Sequence, residues 1–111
     1  LADAGHEVWA VDTWDAHVAS INNTGLRVQG ASGDRIVRTI RATTQISDIG
    51  VCDLCLIATK AAGVGTAARD AAGVIGQDSI VLTIQNGLGS GERIAEYIPT
   101  ENVLLGVADG F

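Results

Sequence analysis

The chain has 111 residues, of which 47% are hydrophobic and 18% charged, so it can bury a core and does not have the composition of a disordered protein. Its formal net charge of −6 argues against a nucleic-acid or anionic-membrane surface, because both need clustered Lys and Arg. The longest apolar runs, such as residues 79–84, are far too short to span a bilayer. The length predicts a single domain, and the abundance of Gly and Ala with only 4% aromatic residues favours α/β packing.

The opening segment predicts a helix end followed by a buried strand. Residues 1–6 have the pattern of a last helical turn closed by Gly5. The continuous apolar run at residues 8–11, which ends at Asp12, predicts a buried parallel strand. Because a native amino terminus seldom begins inside a helix, and a predicted strand comes close to Phe111, we expect both ends of the chain to be cuts.

The segment after Asp12 predicts an amphipathic helix that ends at residues 22–25. Thr13 is its expected N-cap. Trp14, Val18 and Ile21 recur at i, i+4 and i+7, which places them on one packing face of this helix.

Strand and helix patterns then alternate along the chain. The further predicted elements are a hairpin of residues 26–29 and 35–42 with its turn at 30–34, strands at 53–59, 79–84 and 102–107, and helices at 61–75 and 89–98, the last closed by Pro99. The helix at 61–75 carries an apolar stripe of Val64, Ala67, Ala68, Ala71, Val74 and Ile75. This alternation predicts an α/β fold, a Rossmann-type parallel sheet with flanking helices, with the hairpin as an antiparallel excursion.

Cys52 and Cys55 form a C-x-x-C pattern at the start of a predicted strand. Such a pair can be a redox site or half of a metal site, but residues three apart on a strand point to opposite faces and lie ~10 Å apart, too far for a disulfide. No second pair completes a zinc site. We therefore interpret both as reduced core cysteines, which suits a cytoplasmic protein.

Asp12 is the first candidate for a cofactor-binding residue. In a dinucleotide-binding βαβ unit, a glycine loop after the first strand holds the pyrophosphate, and an acidic residue ending the second strand accepts hydrogen bonds from the adenosine ribose. Asp12 stands at such a strand end, although strand-end carboxylates are also common turn and capping residues. The glycine loop is not in the sequence, so the predicted sheet lacks its first strand and that loop. We expect the chain alone to bind no dinucleotide tightly.

A second glycine pattern is a decoy. Residues 63–68 spell G-x-G-x-x-A between a strand and a helix, but the distance from the strand end at Thr59 is too long for the tight turn. The next strand ends at Gln85 and Asn86, with no acid for a ribose. We interpret these glycines as allowing close contact between helix and sheet.

Lys60 and Asn86 follow two further predicted strands. Ligands of open α/β sheets bind at the carboxyl ends of the strands, where Lys60 can offer charge to a phosphate or an oxyanion and Asn86 can hydrogen-bond an amide or hydroxyl. A solvated lysine and an Asn-Gly turn are the alternatives. His6 and His17 have no partner at catalytic or metal spacing, so we expect surface or capping roles for both.

Four segments, taken together, resemble a known family. Residues 4–8 (AGHEV), 25–28 (GLRV), 53–61 (DLCLIATKA) and 85–89 (QNGLG) are similar to the amino-terminal domain of 2-dehydropantoate 2-reductase, also called ketopantoate reductase. The resemblance runs in order through essentially the whole chain. The second half of it, around Lys60 and Asn86, is the most specific.

The resemblance implies an NAD(P)H-dependent enzyme that reduces the ketone of 2-dehydropantoate to pantoate, in pantothenate biosynthesis. It implies that Lys60 and Asn86 lie at the nicotinamide end of the cofactor and substrate cleft, with Asn86 also binding substrate. The family's catalytic Lys and Glu lie in a helical carboxyl-terminal domain, so residues 1–111 would be a partial dinucleotide-binding domain with no catalytic residue of its own and no metal. The oligomeric state, including a homodimer, stays open.

This sequence departs from the family at two positions. NADPH-using members carry an Arg for the 2′-phosphate where this chain has Asp12 and Thr13, so we expect NAD to be favoured. A Gln often follows the family's Lys by three residues, whereas Gly63 stands there. Two rival functions therefore stay open, a dinucleotide-sensing module without chemistry and a dehydrogenase of another 2-hydroxy acid.

Overall fold

The computed structural model describes residues 1–31, 33–85 and 88–107. The chain divides into two compact units, Leu1–Asp48 and Ile49–Phe111, and each is described by itself. No helix in the described ranges is long and apolar enough to cross a membrane.

The first unit contains a parallel strand pair, one helix and a hairpin. Its elements are β1 (Val8–Val11), α1 (Asp15–Thr24), β2 (Leu26–Gly30), β3 (Gly33–Val37) and β4 (Ile40–Thr43). β1 pairs with β4 in parallel, and β2 pairs with β3 in antiparallel register from Leu26–Val37 to Gly30–Gly33. The predicted hairpin is therefore confirmed, with Ser32 of its turn outside the described residues.

The core of the first unit lies between α1 and β4. Val18 and Ile21 of the helix are buried against Ala42. Beside them, the Asn22 side chain donates to the Ala42 carbonyl at 2.8 Å and accepts from the Ala42 amide at 2.9 Å. This two-way bond satisfies polar groups that burial would otherwise leave unpaired. Trp14, by contrast, is 66% exposed, so its predicted place in the packing face is wrong.

Gly25 ends α1 in a backbone conformation that side chains disfavour. Its φ is 87° and its amide donates to the Ile21 carbonyl at 2.9 Å. A Cβ at this position would lie 2.7 Å from Ile36 and 2.8 Å from the Val37 carbonyl oxygen. Glycine is thus required for both the turn and the close approach to β3.

The second unit is a three-stranded parallel sheet with helices on one face. Its elements are β5 (Cys52–Ile57), α2 (Val64–Ala71), β6 (Ile75–Thr83), α3 (Ser90–Ala95) and β7 (Val103–Leu105), with strand order β5-β6-β7. Short 3-10 turns at Ala61–Gly63 and Ala72–Val74 flank α2. Together with the β1–β4 pair and α1 of the first unit, this confirms the predicted α/β class of parallel sheets with flanking helices.

The two faces of this sheet differ in burial. Ile57 and Val81 point toward the helices and are buried with four further residues of α2, α3 and the turn after α3: Val64, Ala68, Ile94 and Ile98. Leu54, Leu56, Ile80 and Leu104 alternate with these core positions and are 44–54% exposed. The face of this sheet that lies opposite the helices is therefore partly exposed, although its side chains are also apolar.

Three further predicted details differ from the structure. Thr13 does not cap α1, since no side chain caps the helix at Trp14. The extended segment 35–42 is two strands, because residues 33–37 pair with the hairpin and residues 40–43 pair with β1. The helix predicted at 61–75 is an α-helix only over Val64–Ala71, and Ile75 already belongs to β6.

Candidate cofactor-binding site

Asp12 follows β1 directly and has a well-defined set of hydrogen bonds. Its Oδ1 accepts the Trp14 amide at 3.0 Å, and its Oδ2 lies 3.0 Å from His17 Nδ1. These bonds, with that of His17 the larger, hold the pKa of the Asp12 carboxyl below its ordinary value. The carboxylate is therefore ionised at neutral pH, and because 40% of its side chain is exposed it can still accept hydrogen bonds from a ligand.

His17 is the site residue that sequence reasoning missed. It was expected to have a surface or capping role, whereas its ring bonds the Asp12 carboxylate and contacts the Trp14 indole at a centroid distance of 5.7 Å. The signal lies in the spacing, because α1 begins three residues after Asp12 and its third residue, His17, points back at that carboxylate. His6 is exposed, as expected.

Lys60 lies three residues beyond Ile57, the end of β5, in an exposed loop with Ala58 and Thr59 that leads into the 3-10 turn at Ala61–Gly63. Its side chain is exposed and makes no hydrogen bond or ion pair to any other residue that the structure describes. Its carbonyl accepts the Gly63 amide at 2.8 Å, which closes the turn. The Lys60 ammonium is therefore available to a ligand, while the Lys60 backbone is held by its hydrogen bond to Gly63.

Gln85 connects the carboxyl ends of β5 and β6. Its amide nitrogen donates to the Ile57 carbonyl at 2.7 Å and to the Thr59 carbonyl at 2.9 Å, and its amide oxygen accepts the Thr83 hydroxyl. The loop that carries Lys60 is thereby held against the end of β6. Asn86, the next residue and the other predicted ligand of this region, lies outside the described residues.

The G-x-G-x-x-A pattern does not have the geometry of a phosphate loop. It lies in a 3-10 turn and the first turns of α2, after a loop that includes Lys60. A Cβ at Gly63 would make only ordinary contacts of 3.4 Å with Thr59, and one at Gly65 would meet nothing within 4 Å. The interpretation that these glycines permit a close helix–sheet approach is therefore wrong for Gly65, and at Gly63 the neighbour is Thr59 of the loop and not a strand residue.

Neither cysteine has the environment of a reactive thiol. Both are free and half-buried, and burial raises the pKa of Cys52 and raises that of Cys55 to about 11. Cys55 packs against the core of the second unit, as predicted, and the Cys52 thiol donates to the Val74 carbonyl at 3.5 Å. In the part of the chain that the structure describes, no group of three or more His, Cys, Asp or Glu could hold a metal.

Comparison with known proteins identifies the family. The family model of ketopantoate reductase PanE/ApbA matches residues 1–110. The chain belongs to this family. A curated relative, the 2-dehydropantoate 2-reductase of Streptococcus pyogenes serotype M3, is 32% identical over 107 residues, which are 96% of this chain and 34% of that protein. The chain thus spans about a third of the length of the curated relatives that it matches.

Solved structures of ketopantoate reductases have the same fold. The 2-dehydropantoate 2-reductase of Porphyromonas gingivalis W83 matches with a TM-score of 0.81 and 29% identity, over 96% of this chain and 38% of that one. A D-mandelate dehydrogenase, solved as a ternary complex with NADH and anilino(oxo)acetate, matches with a TM-score of 0.83 and 27% identity, over 95% of this chain and 34% of that one. These similarities confirm the Rossmann-type fold that the sequence predicts.

Proposed function

We propose that this chain is the cofactor-binding part of a longer NAD(P)H-dependent reductase that converts 2-dehydropantoate to pantoate. Membership of the ketopantoate reductase family supports the reaction, and the length of the relatives supports a second, catalytic domain outside these 111 residues. The structural observation that carries the proposal is the exposed Lys60 ammonium beyond the end of a parallel strand, where open α/β sheets bind their ligands.

The residues present fit the adenosine end of a dinucleotide better than its phosphates. The Asp12 carboxylate is ionised and partly exposed, and each of its oxygens has accepted one hydrogen bond and can accept another. That chemistry suits two free ribose hydroxyls. A 2′-phosphate beside the same carboxylate would be repelled, and like charges placed side by side cost several kcal/mol. The preference for NADH over NADPH follows from this difference. No residue of this chain is assigned to the pyrophosphate.

Lys60 and Asn86 are proposed to act at the nicotinamide end. The reduced nicotinamide supplies the hydride when it is bound. Lys60 would place a positive charge near the substrate carboxylate or the oxygen on which negative charge develops, and Asn86 would hydrogen-bond the cofactor or the substrate. The acid that protonates the product oxygen is assigned to the domain outside this chain, so the chain by itself catalyses nothing.

A second candidate is an NADH-dependent reductase of another 2-oxo acid. It is favoured by the structural match to a D-mandelate dehydrogenase complexed with NADH, because mandelate is a 2-hydroxy acid and Asp12 selects for the same cofactor. A dinucleotide sensor without chemistry needs no exposed lysine at the nicotinamide end, so no observation favours it. We further propose a cytoplasmic location, supported by two free thiols.

The test is steady-state kinetics of a full-length protein that contains this chain. We expect turnover of 2-dehydropantoate with kcat/KM about a hundredfold higher for NADH than for NADPH, which corresponds to ~3 kcal/mol. Asp12→Asn should shrink that preference, whereas Asp15→Asn, an equal change of charge on the exposed first turn of α1, should not. Preference for NADPH would refute the role of Asp12, and turnover of other 2-oxo acids alone would favour the second candidate.

The role of Lys60 has its own variant and control. Lys60→Ala should lower kcat/KM roughly ten- to a thousandfold, the range for removing one preorganised polar group. Arg69→Ala removes an exposed cation of α2 that pairs with Asp70, and should leave kcat/KM unchanged. Equal kinetics of wild type and Lys60→Ala would show that Lys60 is a solvated surface residue.

A further inference from the structure

The backbone around Lys60 is held by two side chains that come from other elements. Gln85, after β6, bonds the carbonyls of Ile57 and Thr59, and Arg93, in α3, donates to the Ala61 carbonyl at 2.7 Å. Three carbonyls on both sides of Lys60 are therefore engaged from outside the loop.

The amide of Gln85 has no hydrogen-bonding capacity to spare on its nitrogen. Both of its N–H groups are used on the two carbonyls, and the Thr83 hydroxyl, on a 2% exposed residue, occupies its oxygen. This arrangement fixes which end of the amide faces β5, because only the nitrogen can donate to a carbonyl. Gln85 thus connects the ends of two strands, and its amide nitrogen has no donor left for a ligand.

Arg93 holds the other side of the loop. Its guanidinium bonds the carbonyl of the residue that follows Lys60, and its own helix is anchored by the fully buried Ile94. The same contact brings a second positive charge to the Lys60 loop. Among the residues that the structure describes, the Gln85 side chain bonds only Thr83 and this loop, and the Arg93 side chain bonds only this loop.

We propose that Gln85 and Arg93 are positioning residues for Lys60, so that the ammonium is presented to the bound substrate or cofactor from a fixed loop. This inference rests on the proposed function of Lys60. An exposed lysine on a mobile loop would have to be ordered at each turnover, whereas a loop fixed in advance spares that ordering. A displacement of about 1 Å at such a site can cost about a hundredfold in rate.

The test is a double-mutant cycle in a full-length protein that contains this chain. Gln85→Leu, which removes both donors, should lower kcat/KM roughly ten- to a hundredfold. In the Lys60→Ala background the same change should cost less than about threefold, because an effect that acts through Lys60 cannot be lost twice. Arg93→Met, at an exposed position that does not endanger folding, should behave in the same way with a smaller loss, and Arg93→Lys should restore part of it.

Asn102 supplies a matched control at the opposite end of the same sheet. Its side-chain amide also donates to two backbone carbonyls, those of Gln77 at 3.2 Å and Ser79 at 2.7 Å. Asn102→Leu therefore removes two bonds of the same kind as those that Gln85→Leu removes from Ile57 and Thr59, but far along β6 from the Lys60 loop. We expect a comparable loss of thermal stability by circular dichroism for both variants, with kcat/KM lowered only by Gln85→Leu.

The outcomes separate the two proposals. If Lys60→Ala leaves kcat/KM unchanged, the proposed function of Lys60 fails. If Lys60→Ala lowers kcat/KM but Gln85→Leu is equally harmful in both backgrounds, Gln85 acts by another route and the positioning role is wrong. Equal loss of activity in Gln85→Leu and Asn102→Leu would likewise overturn it, because the effect would then be one of stability alone.

Discussion

Replacing Gly25 by alanine should destabilise the first unit through two separate effects. The residue has φ 87° and ψ 168°, a region that is essentially confined to glycine and costs other residues roughly 1–3 kcal/mol. The added Cβ would also lie 2.7 Å from the Ile36 methyl and 2.8 Å from the Val37 carbonyl oxygen. The methyl can move, but the carbonyl belongs to the β2–β3 ladder, so overpacking adds about 1–3 kcal/mol.

One term opposes these effects. Alanine lowers the conformational entropy of the unfolded chain, which stabilises the folded state by about 0.4–1 kcal/mol. The midpoints of the three ranges give a net loss of roughly 3 kcal/mol in the free energy of unfolding. At roughly 0.05–0.15 kcal/mol per residue, a unit that spans Leu1–Asp48 is stable by about 2–7 kcal/mol, so the change should remove a large part of its stability.

Gly5 provides the control that separates strain from contact. Its φ is 90° and ψ is 7°, but a Cβ there would meet no atom within 4 Å. Gly5→Ala should therefore carry the left-handed strain of roughly 1–2 kcal/mol, offset by the same entropy term, for a net loss of about 1 kcal/mol.

Urea titration followed by tryptophan fluorescence measures both variants. Both tryptophans of the chain, Trp9 and Trp14, lie in the first unit, so the signal reports that unit alone. We expect the midpoint of Gly25→Ala to fall well below that of Gly5→Ala, or the native signal to be lost without urea. Equal midpoints for the two variants would refute the argument that the approach of Gly25 to β3 matters.

Four further outcomes are expected. His17→Ala should raise the pKa of Asp12 toward ~3.9, since it removes the donor that stabilises the carboxylate; a carboxyl NMR titration that shows no rise would contradict the observed bond. The small stability that this bond gives is present above pH ~4 and is lost as the pH falls through the lowered pKa of Asp12. With its pKa raised to about 11, Cys55 should react with iodoacetamide at pH 8 on the order of two hundredfold more slowly than an exposed thiol of pKa ~8.5. Labelling of Cys55 as fast as an exposed thiol would show that it is not buried. Gly65→Ala should stabilise the chain by about 0.5 kcal/mol in a thermal melt and leave the NADH affinity of the full-length protein unchanged. Weaker NADH binding would show that the glycine pattern at residues 63–68 does bind phosphate. Calorimetric titration of the isolated 111-residue chain with NADH should show no binding with a Kd below millimolar, because the sequence has no glycine loop for the pyrophosphate. A micromolar Kd would mean that residues of this chain bind the pyrophosphate.

Local signals in the sequence predicted most of the elements. The strand before Asp12, the apolar stripe of Val64, Ala68 and Ala71, and the left-handed Gly5 each follow from backbone preferences and periodicity over a few residues, and each was found. The expected burial of that strand was wrong, since none of its four residues is buried and Val11 is 48% exposed. The family resemblance around Lys60 was likewise legible in the sequence, because it depends on residue order alone.

Contacts between distant residues were decided by the tertiary structure. That β4 leaves the hairpin to pair with β1 depends on which strand edges meet, and nothing within residues 35–42 specifies it. The bond between His17 and Asp12 depends on the direction in which α1 leaves the strand. The hydrogen bond from Gln85 to the end of β5 joins two residues, Gln85 and Ile57, that are 28 residues apart in sequence. Periodicity and propensity act over a single element, whereas these bonds form only when separate elements are packed, so only the folded chain shows how the loop of Lys60 is held.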